Sequence, residues 1–128
     1  MDASVSAKTT ANTFETDARA IVTAKYVRTA GTNDVVAGVQ PGFVVEPGSE
    51  QELAKILKLA NAAGLAVIPR GGATKVEWGN PPARADVILS TARLHRVIEH
   101  AWADLTVSAE AGCAIGKFCS TVQPARRV

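Results

Sequence analysis

Apolar residues along this chain fall into helical spacing, short continuous runs and strict alternation, and each rhythm predicts a different element. Phe14, Ala18, Ile21 and Val22 recur at helical spacing and predict a modest helix ending near Tyr26. The dozen residues before it are rich in Ser, Thr and Ala without periodicity, and read as a flexible tail over residues 1–12. Gly31, Gly38, Pro41 and Gly42 then punctuate the chain and leave room for one short helical turn, so residues 13–42 read as a helical lead-in.

The pattern sharpens at residues 43–46, a short apolar strand closed by Pro47 and Gly48. Ser49 with Glu52 three residues later forms a capping box, in which each side chain is expected to satisfy the other's backbone N–H. Leu53, Ile56, Leu57, Ala60 and Ala63 give the following helix one apolar face, and Gly64 is its stop. Residues 65–68 are a second apolar run. Strand, helix and strand with short connections predict a right-handed βαβ unit with parallel strands. Residues 86–90 form a further apolar strand. Residues 97–100 and 105–110 flank a turn and predict a hairpin whose second strand points Leu105, Val107 and Ala109 inward and Thr106, Ser108 and Glu110 outward. Ile115, Phe118, Cys119 and Val122 then return to helical spacing, with a stop before Pro124.

Composition narrows the class. The 128 residues are 47% hydrophobic and 20% charged, with a formal net charge of +2, as in an ordinary globular domain. No Lys/Arg cluster argues for nucleic acid, and no apolar run approaches the length of a membrane span. An early acid and the lack of an apolar h-region exclude a secretory signal, and a cytoplasmic location is expected. Cys113 and Cys119 make neither a disulfide framework nor a four-ligand zinc site, and Cys119 on an apolar helix face reads as a small buried hydrophobe. His95 and His100 have no ligand partners at metal-binding spacing, so a metal-dependent hydrolase has no support.

The candidate chemistry lies at Arg70, Gly71, Gly72, Ala73, Thr74 and Lys75, directly after an apolar strand. A P-loop would end in Gly-Lys-Ser/Thr and open a helix, whereas here Thr precedes Lys and Pro81 and Pro82 soon follow. A dinucleotide fingerprint would space three glycines into a helix, which is also absent. Two readings remain open on spacing: a free-standing nest of backbone amides for an anion, or a tight structural turn at a strand end.

Residues 43–47 and 67–75, with the intervening helix, resemble the start of the FAD-binding domain of vanillyl-alcohol-oxidase-type (PCMH-type) flavoproteins. Residues 86–97 resemble that family's next strand and turn, and residues 105–112 the strand and glycine after it. Within the family, residues 74–82 are most similar to the FAD-binding subunit of bacterial glycolate oxidase. The resemblance implies an α+β fold: the N-terminal part of a PCMH-type FAD-binding domain over residues 43–128, in which a βαβ unit with a small parallel sheet leads into the start of a second, β-rich subdomain.

It further implies that residues 70–75 wrap the FAD pyrophosphate with backbone amides, that Gly79 closes the loop, and that Thr91 and Gly112 approach the cofactor. Ala73 stands where many relatives carry a third glycine, which requires a negative φ if strain is to be avoided. Some relatives attach FAD covalently through a His in this loop; Thr74 takes its place, so noncovalent FAD is expected. The implied activity is flavin-dependent oxidation of the CH–OH group of a small 2-hydroxy acid, possible other oxidase subunits being further partners. The family continues past the point where this chain ends, so the chain is expected to be a truncated, inactive fragment without catalytic residues. The alternative is a noncatalytic module that folds or assembles with a partner without binding flavin.

Overall fold

The computed structural model describes residues 3–122. Among these residues are three α-helices, α1 (Ala3–Val22), α2 (Glu50–Ala62) and α3 (Ile115–Val122), two short 3₁₀ turns and six strands. The strands are β1 (Val27–Thr29), β2 (Phe43–Val45), β3 (Val67–Arg70), β4 (Val87–Ser90), β5 (Val97–Ala101) and β6 (Thr106–Ala109). The first four form one sheet in the order β1-β2-β4-β3, and β5 and β6 form a separate hairpin. No helix among the described residues is long and apolar enough to cross a membrane.

β4 explains the sheet. All four of its residues are buried, as expected of a central strand covered on both faces. It pairs in parallel with β2 (Val44 opposite Ile88) on one side and with β3 (Ile68 opposite Ile88) on the other. The expected parallel βαβ unit is therefore present with a third strand inserted: β2 and β3 are separated by β4 rather than hydrogen-bonded to each other. Side-chain alternation divides the core in two. Val45, Val87 and Leu89 pack against Phe14, Ala18 and Val22 of α1 and Ile56 and Ala60 of α2. Val44 and Ile88 face the other way, onto Val36, with Ala30, Ile68 and Val76 packed around them.

Local signals set the ends of α2. Ser49 Oγ accepts the Glu52 N–H at 3.2 Å, as the capping box requires. Glu52 returns not to Ser49 but one residue further, accepting the Gly48 N–H at 2.7 Å. At the other end Gly64 adopts φ +64°, and the Leu65 N–H reaches the Ala60 carbonyl at 2.9 Å, a Schellman closure. Leu57, expected on the buried face, is 41% exposed, and Leu59 packs on the core instead.

Several expectations are corrected. The segment read as a flexible tail is helical from Ala3 onward, because its alanines favour helix and no Gly or Pro interrupts it. α1 ends at Val22, and a 3₁₀ turn over Ala24–Tyr26 leads into β1. That strand was not anticipated from the sequence; it exists because Val27 pairs with Val45 in an antiparallel ladder. β3 runs on through Pro69 to Arg70, which an edge strand tolerates because the missing N–H falls outside the ladder.

The hairpin forms where expected, but its facing does not. Leu105 has φ +53° and is 89% exposed, so it belongs to the turn and not to the inward row. Glu110, expected outward, is only 6% exposed at its side chain and is held by Arg96 at 2.6 Å. Cys119 is exposed rather than buried. The expected Phe118–Val122 face, the stop before Pro124 and the chain end lie outside the described side chains and residues.

Candidate functional site

Arg70 and Ser90 lie side by side at the C-terminal ends of parallel strands β3 and β4, where open α/β sheets place ligands. The chain leaves β3 into residues 71–75 and leaves β4 into a turn at Thr91. The two exits are tied together: the Thr91 N–H donates to the Arg70 carbonyl at 2.9 Å, and the Thr91 hydroxyl donates to the same oxygen at 3.4 Å. The end of β6 closes against this turn, where the Gly112 N–H reaches the Leu94 carbonyl at 2.7 Å. Three segments distant in sequence thus meet beside the glycine loop, and they include Gly71, Thr91 and Gly112 from the sequence analysis.

The loop lines a cavity of about 250 Å³ running from Pro69 to Val76. Among the described residues, none of the N–H groups from Gly71 to Lys75 is spent on a protein acceptor. Val76 anchors the far end by packing on the Val36, Val44 and Ile88 cluster. Neither Gly71 nor Gly72 has a positive φ. A Cβ on Gly71 would make only ordinary contacts, 3.8 Å to Thr91 Oγ1 and to the Ala111 carbonyl, and one on Gly72 would meet nothing within 4 Å. The fold itself does not require glycine at either position, so the bareness of the loop is available to something approaching from outside. Consecutive unspent amides without side-chain cover are the donor set that a pyrophosphate needs, and the cradle fits that group.

Ala73 departs from expectation. Its φ is +59°, in the left-handed region, where an L-residue with a Cβ is strained by about 1–2 kcal/mol. The loop therefore keeps at Ala73 the backbone conformation of a glycine without the glycine. Gly79, at φ +99°, meets the same demand with the residue that suits it. Gly112 is different again, since a Cβ there would fall 1.8 Å from the Thr91 carbonyl oxygen. Packing alone accounts for that glycine.

The charged side chains have defined positions. Arg70 does not point its guanidinium into the loop; Nη1 donates to Asp34 Oδ1 at 2.7 Å. Asp34 is 4% exposed and also accepts from Nη1 and Nη2 of Arg28, at 2.6 and 3.0 Å, and from the Gly31 N–H at 2.8 Å. Arg28, then the Gly31 N–H and Arg70, hold its carboxyl far below the usual carboxylate range, against the opposing effect of burial. Lys75 Nζ rests 3.4 Å from the centre of the Trp78 ring, and Trp78 is 74% exposed at the loop mouth. Thr74 is exposed. Sequence reasoning missed Asp34 and Arg28 altogether; a Gly-x-x-Asp turn before a Gly/Pro-rich stretch was their only local signal.

Other candidates are less suited. A cavity of about 360 Å³ lies between the start of α2 and the hairpin, but of its charged residues Glu50, Arg96 and Glu110 the last two already bind each other. His95 Nδ1 is 3.1 Å from the Ala92 carbonyl, and His100 packs on Trp102 with ring centroids 3.9 Å apart. Among the described residues, no three His, Cys, Asp or Glu side chains are grouped to hold a metal ion.

The chain is similar to several known proteins. D-2-hydroxyglutarate dehydrogenase of Xanthomonas citri pv. viticola is 33% identical over 72 residues, 56% of this chain and 15% of that protein. The mitochondrial cytochrome D-lactate dehydrogenase of Arabidopsis thaliana is 35% identical over 72 residues, 56% of this chain and 13% of that protein. The chain thus spans about one seventh of the length of these relatives. Among solved structures, p-cresol methylhydroxylase with substrate bound superposes with a TM-score of 0.75 at 15% identity, covering 88% of this chain and 24% of that one, which establishes the shared fold. Residues 41–128 match the FAD binding domain family, and the chain belongs to that family.

Proposed function

We infer that residues 70–75 hold the FAD pyrophosphate and that this chain serves a flavin-dependent oxidoreductase acting on the CH–OH group of a 2-hydroxy acid. The observation that carries the binding role is the run of unspent amides from Gly71 to Lys75 beside two glycines that the fold does not itself require. Gly71, Gly72, Ala73 and Thr74 donate through their backbone. Arg70 contributes its place at the strand exit, with its guanidinium on Asp34. Lys75 adds a positive charge beside Trp78, Gly79 turns the chain away, and Thr91 with Gly112 forms the neighbouring wall. The loop carries no His, and Thr74 offers no imidazole for a covalent link, which supports noncovalent FAD.

The substrate class rests on the relatives, two of which are named for D-2-hydroxyglutarate and D-lactate, both 2-hydroxy acids. The resemblance of residues 74–82 favours glycolate, the smallest acid of that class. When bound, FAD supplies the hydride acceptor; the residues of this chain bind and orient it. No side chain here is assigned to removal of the substrate proton.

Titration of the purified protein with FAD tests the reading. Flavin absorbance is expected to co-elute with the protein at equal stoichiometry and to be released by acid precipitation. Gly72→Asp, which adds bulk and negative charge to the cradle, is expected to abolish retention. Wild-type protein that stays colourless in excess FAD, or a Gly72→Asp variant that keeps flavin at wild-type stoichiometry, overturns it.

A further inference from the structure

Ile68 and Arg70 lie two residues apart on β3 and so share a face of the sheet. Ile68 and Ala30 both pack against the cluster of Val36, Val44 and Ile88, and Asp34 lies in the segment between Ala30 and Val36, which lets it reach Arg70 across that face. β3 is an edge strand, paired only with β4. Its last residue is therefore held from two directions: Thr91 grips the Arg70 carbonyl from the β4 side, and Asp34 grips the guanidinium. Asp34 is itself held by Arg28 from β1 and by the Gly31 N–H.

We propose that Asp34 is a positioning residue for the glycine loop, acting through Arg70 to fix the strand exit from which residues 71–75 present their amides. What the loop binds rests on the function proposed above; how it is held does not. Charge and position make opposite demands here, which makes the idea testable. Asp34→Asn removes a negative charge near the loop, and charge alone would then strengthen the binding of a pyrophosphate. A loosened loop would weaken it.

The experiment uses the purified protein as wild type, Asp34→Asn, Arg70→Met and the double variant. Backbone ¹⁵N order parameters are measured for residues 71–75, and FAD is titrated in parallel. In each single variant the order parameters of Gly71, Gly72 and Ala73 are expected to fall from about 0.85 to below about 0.6. FAD affinity is expected to drop about tenfold. The double variant should fall no further than either single one, because both cut the same link. Unchanged loop order in Asp34→Asn, with only a lower melting temperature, overturns the proposal, as does tighter FAD binding or additive losses. Should Asp34→Asn fail to fold, Arg70→Met, which leaves Asp34 paired with Arg28, decides by the same order parameters. If wild-type protein takes up no FAD while the loop loosens as described, the positioning role stands and the cofactor reading fails.

Discussion

Gly112 lies against the carbonyl of Thr91 so closely that a Cβ would fall 1.8 Å from its oxygen and 2.7 Å from that of Leu94. Both contacts are with backbone, which has no flexible end to move aside. Gly112→Ala is therefore expected to force the β6 end off the Thr91–Leu94 turn and break the hydrogen bond from Gly112 to Leu94. Overpacking of this kind is destabilising by about 3 kcal/mol. Urea unfolding of the variant measures it. A loss under about 0.5 kcal/mol, the size of an ordinary surface change, would mean that the hairpin does not close on the turn.

Gly72 makes the contrasting case. It has no positive φ and open space where a Cβ would stand. Gly72→Ala is expected to leave stability unchanged or raised by about 0.4–1 kcal/mol, through the less flexible unfolded chain. The same methyl group stands in the loop cavity and is expected to weaken FAD binding at least about tenfold. Thermal melting and flavin titration of the one variant read the two effects separately. Equal affinity for FAD in variant and wild type would remove Gly72 from the proposed cradle.

These two glycines also show what the sequence made legible. The signals read correctly were local: the Ser49 cap of the Glu52 N–H, the Gly64 stop and the continuous apolar run of β4. Each depends on a few neighbouring residues. β1 was missed because three residues carry too short a rhythm, and only pairing with β2 makes them a strand. Leu105 was misplaced because an alternating pattern does not reveal that its first residue sits in a left-handed turn. The site was legible as a bare loop, and its family resemblance as an ordered set of segments. The link from Asp34 to Arg70 was not, because it joins residues 36 positions apart and only the fold brings them together.

The Asp34 carboxylate also sets a pH dependence. Its folded pKa is lowered, chiefly by Arg28, so the native state binds its proton less readily than the unfolded chain. The stability it contributes is complete above the unfolded carboxylate value of about 3.9 and is lost as pH falls from there toward the folded value. Near neutrality Asp34→Ala leaves two guanidiniums without their buried partner and is expected to be destabilising by about 3 kcal/mol. The difference between wild type and variant in urea unfolding should then narrow steadily below about pH 4. A difference that stays constant between neutral pH and about pH 3 would show that the charge of Asp34 is not what stabilises the fold.

Ala73 offers a loop site where relief of backbone strain is expected to improve the fold. Its φ of +59° carries about 1–2 kcal/mol of strain that a glycine would not. Glycine returns part of this by making the unfolded chain more flexible, about 0.4–1 kcal/mol. Strain is the larger quantity, so Ala73→Gly is expected to stabilise the protein by about 0.5 kcal/mol. The backbone already has the conformation that glycine favours, so the amides of Gly72 and Thr74 keep their places. FAD affinity is expected to stay level or rise. Differential scanning calorimetry beside a flavin titration checks both. A destabilised variant would mean that Ala73 is not held in the left-handed region in solution, and the loop would then have to present its amides in another arrangement.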